Sequence, residues 1–456
     1  MIDRLHAHDT RILMDLVVNH TSDQYLWFKE SRGTKTNPKR DWYIWRDPKY
    51  DAQGNRKEPN NWKYNFGGSA WAFDDHTGQY YLALFLPSQP DLNWESAEMH
   101  KATHDDMSKH PDLPDAKVIN DEPYQFGAEF FASGPNMHDY IREIRTEVFD
   151  KYDVMTVGEL GFTKDERSVS EYVANDRHEL NMVFTGDIVD MDFGLNAKSA
   201  TAMPKFDGWN TVYLDNHDSG RSLSQYASDA PEHRSTAAKM LATYLTTLSG
   251  TPFTLAGQEI GMANLGKDYG ADAYIDVEGR NYYDEVLKSR GGNTGKMDDV
   301  LRELQLKSRD HGCLPMQCDS SPNAGFTVAN AKPWMTINKA HTEWNVASQL
   351  DDPESIMAYW KQTIALRKEY SDLFVYGSYT ALEESETGEM VLGYERNWSQ
   401  ANQEAVVLLN FSHQIQTVPL GKYENFSVLI SSKGCIDRAK SQVELQPHGS
   451  VVLLNA

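Results

Sequence analysis

Short apolar runs that end in clusters of polar residues recur along this chain of 456 residues, and they constrain its fold more than any other feature. The runs occupy residues 11–18, 153–157, 211–214 and 252–255. A continuous apolar run of this length predicts a strand covered on both faces, which is typical of a parallel sheet. Segments with apolar residues at helical spacing lie between the runs, at 137–152 and 232–249. The pattern predicts an α/β fold with polar groups at the carboxyl ends of its strands.

Two other stretches of the chain differ from this pattern. Residues 20–88 place Trp27, Trp42, Trp45, Trp62 and Trp71 among Gly, Pro, Asn and Asp, which indicates a loop-rich insertion. After Asp372 the chain changes to short alternating runs, at 390–394, 404–409, 443–445 and 451–454, which predict a small antiparallel β-domain. We therefore expect a βα region at 1–19 and 89–371, an inserted domain at 20–88 and a C-terminal β-domain at 372–456.

Charge and cysteine content limit the partners of the chain. Lys and Arg number 44 against 67 Asp and Glu, a net charge of −23, which disfavours binding to nucleic acid and to membrane surfaces. Three cysteines, at 313, 318 and 435, allow at most one disulfide, and no His or Cys spacing is typical of a metal site. The first residues lack the continuous apolar core of a signal peptide. We expect a cytoplasmic protein without a metal ion or cofactor.

Carboxylates and imidazoles stand at the ends of several predicted strands. Asp15 lies inside the first run and His20 just after it, although a strand-end histidine also occurs in ordinary turns. A partly desolvated Glu159, at the end of the second run, would have a raised pKa suited to a general acid, although a surface glutamate after a turn fits equally well. The cluster Asp-Asn-His-Asp at 215–218, with Arg221 just after it, is hard to explain by packing.

The order and context of these motifs resemble those of glycoside hydrolase family 13, in its α-glucosidase branch of maltases and oligo-1,6-glucosidases. The resemblance extends over nearly the whole chain, through Gln-Pro-Asp-Leu-Asn-Trp at 89–94, Tyr-Asn-Phe-Gly-Gly-Ser-Ala-Trp at 64–71, Gly-Gln-Glu-Ile-Gly-Met at 257–262 and Lys-Pro-Trp-Met at 332–335. It implies a (β/α)₈ barrel of the TIM type, with a domain inserted after the third strand and a C-terminal β-sandwich. Its implied substrates are α-glucosidic oligosaccharides or disaccharides.

The resemblance also implies roles for the candidate residues. Glu159 resembles the general acid/base of the family, and Asp218 the carboxylate that stabilises the transition state. His217 and His20 resemble the histidines that contact the sugar, Asp15 resembles the first aspartate of that subsite, and Arg221 is predicted to bind substrate with them. Hydrolysis with retention needs the acid and a nucleophilic carboxylate about 5–5.5 Å apart, and no cofactor.

The nucleophile of the family lies at the end of the fourth strand, in a motif of the type Gly-Phe-Arg-x-Asp-Val. Here residues 95–107 are followed at once by 108–115, which resembles sequence that the family places after that strand. We therefore expect the fourth strand, its aspartate and its arginine to be absent. Asp187, Asp190 and Asp192 resemble a different family segment, so we do not expect them to replace the nucleophile.

Other departures affect the barrel and the substrate site. The chain begins just before the third strand of the family pattern, so the barrel is predicted to be incomplete, with exposed apolar edges that favour self-association. In 309–319, Gly312-Cys313-Leu314 replaces the usual Ala-Arg-Thr, and Cys318 replaces a tryptophan. Contacts to the leaving part of the substrate are therefore also altered.

Three hypotheses about function follow. The first is an α-glucosidase-type glycoside hydrolase by descent, impaired or inactive because its nucleophile is missing. The second is a non-catalytic carbohydrate-binding pseudoenzyme, or a truncated gene product. The third, an ancillary subunit of an amino-acid transporter, would need a membrane anchor. The longest uncharged stretch, at 240–258, contains Thr, Ser, Gly and Pro and is predicted to be a buried helix that leads into a buried strand.

Overall fold

The computed structural model describes residues 1–96, 98–99, 113–120, 122–132, 134, 136–161, 166–185 and 208–455. The chain divides into two compact units. The first contains Met1–Val157 and Asp176–Asn181, and the second contains Gly158–Asn175 and Met182–Ala456. No helix in these ranges is both long enough and apolar enough to cross a membrane.

The first unit is held together by aromatic side chains around a small antiparallel sheet. Its helices are α1 (Ile2–His6), α2 (Leu26–Gly33), α3 (Ala128–Phe131) and α4 (Met137–Glu147). Its strands are β1 (Trp45–Arg46), β2 (Lys49–Tyr50), β3 (Arg56–Lys57), β4 (Trp71–Asp74) and β5 (Gln79–Leu82), with β5 between β1 and β4. The buried Trp62 and Trp71 donate their indole N–H groups to Pro114 O at 2.9 Å and to Asn60 Oδ1 at 2.6 Å. Packed rings thus order the loop-rich segment, and the indole N–H groups of Trp62 and Trp71 have hydrogen-bond partners.

The first apolar run is not the buried strand that its sequence predicts. Residues 10–18 have no regular secondary structure, and the side chains of Met14 and Leu16 are 68% and 62% exposed. Within the described ranges no strand pairs with this run. In the described ranges no sheet covers the side chains of this run, although Trp94 Nε1 donates to Val18 O at 2.7 Å, so apolar composition alone did not determine its burial.

The second unit begins with short strands that carry the candidate site. β6 (Val157–Leu160) pairs with β7 (Met182–Thr185), and β8 (Thr211–Val212) pairs in parallel with β9 (Thr251–Pro252). Thr211 Oγ1 donates to Val183 O, and Tyr213 Oη donates to Thr185 O, each at 2.8 Å, so β8 lies beside β7. Strands are present in the runs 211–214 and 252–255, as predicted, and they pair with each other in parallel, although both are shorter than their apolar runs.

Helices surround the strands of this unit. They are α5 (Glu166–Val173), α6 (Ser222–Tyr226), α7 (Pro231–Thr247), α8 (Val277–Ser289), α9 (Asp298–Lys307), α10 (Val346–Gln349), α11 (Ile356–Glu369), α12 (Ser371–Phe374) and α13 (Glu384–Thr387). Proline at the first position starts α7, where its missing N–H leaves no intrahelical bond unmade. Most side chains of α7 are buried, and its threonines bond back to the helix, as Thr247 Oγ1 does to Thr243 O at 2.7 Å. The predicted buried helix is therefore confirmed, whereas the strand that follows it is not buried, since Thr251 is half-buried and Pro252 is exposed.

The C-terminal region forms the antiparallel sheet predicted from its alternating runs. Its strands are β10 (Ser378–Ala381), β11 (Val391–Trp398), β12 (Gln403–Asn410), β13 (Gln416–Pro419), β14 (Ser427–Asp437) and β15 (Gln442–Leu454). The order is β10-β11-β12-β15-β13, and β14 also pairs with β15. The runs predicted at 443–445 and 451–454 belong to one strand, because β14 follows β15 along most of its length through two register shifts.

Three histidines meet where α7 packs against the C-terminal sheet. His448 lies in β15 with a positive φ of 53°, and its ring centroid is 4.7 Å from that of His413 and 5.4 Å from that of His233. The Nε2 atom of His448 is 3.2 Å from His413 Nδ1, so one of these two nitrogens must lack a proton. Burial, followed by the two neighbouring imidazoles, lowers the pKa of His448 from 6.5 to about 4.

We predict that this cluster makes the protein less stable in mild acid. The unfolded chain binds a proton at residue 448 between pH 6.5 and 4 and the folded chain does not, so the free energy of unfolding falls by about 3 kcal/mol as the pH drops through this window. His448→Asn tolerates the positive φ and should remove most of this fall in urea unfolding measured from pH 7 to 4. His8→Asn, at an exposed position, is the control. An unchanged slope in the His448 variant would contradict the prediction.

We also predict that the exposed first run promotes self-association. Met14→Lys combined with Leu16→Lys places two charges on this apolar surface, and it should raise the monomer fraction in sedimentation velocity several-fold. Thr10→Lys combined with Asn19→Lys adds the same charge at exposed polar positions of the same segment. Equal effects of the two pairs would mean that charge, not apolar contact, governs association.

Candidate active site

A tight turn after β8 presents two of the predicted site residues to solvent. Asn216 Oδ1 accepts hydrogen bonds from Asp218 N at 3.0 Å and from Ser219 Oγ at 2.8 Å. The buried Asp215 accepts the N–H of Ser222 at 2.6 Å, which fixes the start of α6. These bonds hold the turn so that the side chains of 217 and 218 project away from the strand ends.

Asp218 is the centre of a charged cluster. Its Oδ2 is 3.4 Å from His217 Nε2, and its Oδ1 accepts a hydrogen bond from the guanidinium of Arg309. The pKa of Glu278, near the start of α8, is raised first by desolvation and then by the Asp276 and Asp218 carboxylates, although Arg309 opposes the rise. Asp218 is thus paired with a guanidinium and lies beside a histidine, and its charge acts on the Glu278 carboxyl group.

The sequence did not predict that Arg309 and Glu278 belong to the candidate site. The segment 309–319 was notable only for its departures from the family pattern. The segment 309–319 lies against the turn at Gly312. A Cβ at this position would be only 2.7 Å from Asn216 O and 3.2 Å from His217 Cα, so the close approach requires glycine. This close approach of two backbones brings Arg309 to Asp218, and the spacing of charged residues along the chain does not reveal it.

Arg221 differs from its predicted role. Its side chain is 1% exposed, with Nε 3.1 Å from His311 O and Nη1 3.0 Å from Ala256 O and 3.6 Å from Asp215 Oδ2. Because these groups enclose the guanidinium, it cannot reach a sugar in this arrangement, and the prediction of direct substrate contact is corrected. Arg221 instead positions the turn through Asp215.

Glu159 lies on β6, which pairs with β7, the strand that β8 adjoins. Its side chain is exposed among the described residues. Its role as the general acid stays a prediction. Asp187, Asp190 and Asp192 lie outside the described residues.

The other two predicted residues, Asp15 and His20, belong to the first unit. Asp15 is exposed, whereas His20 is half-buried, with Nε2 3.0 Å from Gln89 Nε2 and its ring 5.3 Å from that of Phe85. Burial lowers the pKa of His20, and the nearby Asp15 carboxylate partly offsets this. The neutral imidazole can therefore either donate or accept a hydrogen bond.

The turn at 89–94, which the sequence left open as an ordinary loop, contains a buried titratable group. Asp91 pairs with His20 through the backbone and is only 6% exposed, and its Oδ2 accepts the N–H of Leu84 at 2.6 Å. Burial raises the pKa of Asp91 to about 7. In the described ranges, no group of three His, Cys, Asp or Glu side chains could hold a metal ion.

Comparison with known proteins identifies the family. The model of the alpha amylase catalytic domain matches residues 1–109 and 103–377. Alpha-glucosidase of Schizosaccharomyces pombe is 36% identical over 493 residues, which cover 99% of this chain and 84% of the relative. Oligo-1,6-glucosidase of Parageobacillus thermoglucosidasius is 37% identical over 98% of this chain and 83% of its own length. The chain belongs to the alpha-amylase family.

Solved structures agree with this assignment. Isomaltulose synthase SmuA from Protaminobacter rubrum superposes with a TM-score of 0.85 and 32% identity, over 100% of this chain and 85% of that one. A variant of the trehalulose synthase MutB superposes with a TM-score of 0.86 and 33% sequence identity, over 99% of this chain and 85% of that one. The predicted TIM-type barrel fold with a C-terminal antiparallel domain is therefore confirmed.

We predict that Asp91 makes the free energy of unfolding fall as the pH rises from about 4 to 7. The folded chain keeps a proton on Asp91 that the unfolded chain releases, so stability is lost through this window, on the order of 4 kcal/mol in total. Asp91→Asn can still accept the Leu84 N–H and should remove this contribution in urea unfolding at pH 5 and pH 8. Asp75→Asn, at an exposed site, is the control and should keep the wild-type slope.

Proposed function

We propose that this chain is a glycoside hydrolase of the α-glucosidase type by descent, which binds α-glucosidic oligosaccharides or disaccharides and hydrolyses them poorly or not at all. The observation that carries the proposal is the two-segment match to the alpha amylase catalytic domain, whose segments meet at residues 103–109. The meeting point coincides with the stretch between 95–107 and 108–115 where the sequence predicts that the fourth strand and its nucleophile are missing.

The alignment with the relatives also supports a missing segment. It spans 493 positions with the Schizosaccharomyces pombe enzyme, more than the 456 residues of this chain, so the relative has positions within that span that this chain lacks. A retaining glucosidase without its attacking carboxylate could still protonate a glycosidic oxygen, but it could not trap the sugar as a covalent intermediate. Such a loss lowers turnover by several orders of magnitude and leaves binding groups in place.

The described residues suggest how the remaining site would work. Glu159 is proposed as the proton donor, and Asp218 as the carboxylate that stabilises positive charge on the sugar. Asp218 is ion-paired with Arg309, and His217 beside it can hydrogen-bond to a hydroxyl group. Asp15 and His20 are proposed as further sugar contacts.

A non-catalytic sugar-binding protein is the second candidate, favoured by the same missing carboxylate, and a truncated gene product would look alike. Sequencing of the complete transcript separates the two, because a skipped segment would appear in the longer message. A cytoplasmic location remains part of the proposal and is supported by three free cysteines. The net charge of −23 supports the view that neither nucleic acids nor membranes are partners.

We predict that purified protein releases glucose from maltose, isomaltose and aryl α-glucosides at least about 10⁴-fold more slowly than the Parageobacillus relative. Sucrose belongs in the panel, because isomaltulose synthase of Erwinia rhapontici NX5 has been crystallised with it as the natural substrate. Robust turnover that disappears in Glu159→Gln would contradict the proposed loss of the nucleophile.

Binding should persist where turnover fails. Calorimetry with maltose should give measurable affinity, and Asp218→Asn should weaken it about tenfold, because it removes a charged acceptor. Glu232→Gln, an exposed site on α7, should leave the affinity unchanged. Absence of binding to every sugar in the panel would contradict the proposal.

A further inference from the structure

A large aromatic side chain is exposed beside the candidate site. Trp334 is 64% exposed and follows Lys332 and Pro333 in the chain. Phe326, itself partly exposed, packs against it edge to face, with ring centroids 5.2 Å apart and an angle of 85° between the rings. The two rings in contact form a small exposed apolar surface.

The indole of Trp334 is held in one orientation. Its Nε1 donates to the backbone oxygen of Cys313 at 3.2 Å, and the edge-to-face contact with Phe326 braces the ring from the side. A ring with two side-chain torsions that is already fixed by a hydrogen bond loses little conformational freedom when a ligand stacks on it. Trp334 is therefore preorganised as a flat apolar surface.

The same backbone segment connects Trp334 to the turn that presents Asp218. Cys313 Sγ lies 3.8 Å from His217 O, and Gly312 packs so closely that a Cβ there would be 2.7 Å from Asn216 O. The residue that anchors the indole thus touches the backbone of the residue before Asp218. Two contacts through Cys313 therefore connect the exposed indole to the turn that carries the proposed sugar-binding carboxylate.

We propose that Trp334 is a stacking platform for a second glucosyl unit of an α-linked gluco-oligosaccharide, next to the unit that Asp218 binds. A pyranose ring has one face rich in C–H groups, which packs on an aromatic ring while its hydroxyl groups stay hydrated. The inference rests on the proposed function and extends it, because it assigns a specificity-determining residue for substrates longer than a single glucose.

Calorimetry with glucose, maltose and maltotriose tests the platform. The wild-type affinity should rise with chain length, and Trp334→Ala should reduce the affinity for maltotriose about 3- to 10-fold while that for glucose stays unchanged. Trp334→Phe keeps an aromatic face without the hydrogen bond to Cys313. Its affinity for maltotriose should lie between that of the wild type and that of Trp334→Ala. Tyr376→Ala removes another exposed aromatic ring of the same unit and should have no effect.

The outcomes separate this inference from the proposed function. If the wild-type protein binds none of the three sugars, the platform is wrong, and the proposed function fails with it when isomaltose, sucrose and aryl α-glucosides do not bind either. If it binds them and Trp334→Ala keeps the full rise from glucose to maltotriose, the platform alone is wrong. Equal far-ultraviolet circular dichroism and equal melting temperatures of wild type and variants ensure that a lower affinity reflects a lost contact and not unfolding.

Discussion

Two buried arginines at the carboxyl end of α7 support the second unit. The last carbonyl groups of a helix need donors from outside it, and here they are shielded from water. Arg367, from α11, donates to Thr246 O at 2.9 Å, Leu248 O at 2.5 Å and Gly250 O at 2.5 Å. Arg396, from β11, bonds Ser249 Oγ at 2.6 Å and the backbone oxygens of 374 and 377. One helix end is thereby tied to a second helix and to the C-terminal sheet.

Burial lowers the pKa of both arginines to about 10, so each remains charged at neutral pH. Arg367 Nη1 and Nη2 donate to oxygens at the helix end, and Arg396 Nη2 donates to Ser249 Oγ and to two further backbone oxygens, without a carboxylate in these bonds. Among the described residues, Arg396 Nε and Nη1 have no hydrogen-bond partner. The chain passes from α7 to β9 immediately after these oxygens, and β9 pairs with β8. The turn that carries Asp218 is thus positioned by an interaction far from it in sequence.

The spacing of apolar residues along the chain correctly predicted those helices and strands that pack against several neighbouring elements. Helix α7, the parallel pair β8 and β9, and the C-terminal strands follow from their apolar patterns, because several neighbours cover each of them. The run at 11–18 has the same composition, but no strand in the described part of the chain pairs with it. A sequence pattern indicates which residues can be buried. Whether they are buried depends on the elements that pack against them in the folded chain.

In the candidate site, too, the sequence predicted some residues, whereas others depend on contacts that only the folded chain makes. The turn at 215–218 was recognisable as a density of polar groups, because no packing role explains it. Arg309 could not be found in this way, since it reaches Asp218 through a backbone contact that requires glycine at 312. Arg221 belongs to the same motif yet lies beneath it, because a guanidinium near a buried carboxylate stabilises a turn as readily as it binds a ligand.

The proposed loss of activity depends on the absence of an attacking carboxylate opposite the proton donor. Incubation with a fluorinated glucosyl fluoride, which traps the covalent intermediate of retaining α-glucosidases, tests this directly by intact-protein mass spectrometry. The Parageobacillus relative serves as the labelled control. This chain should keep its unmodified mass under conditions that label the relative completely. A one-to-one adduct mapped by peptide sequencing to an aspartate or glutamate would contradict the central claim.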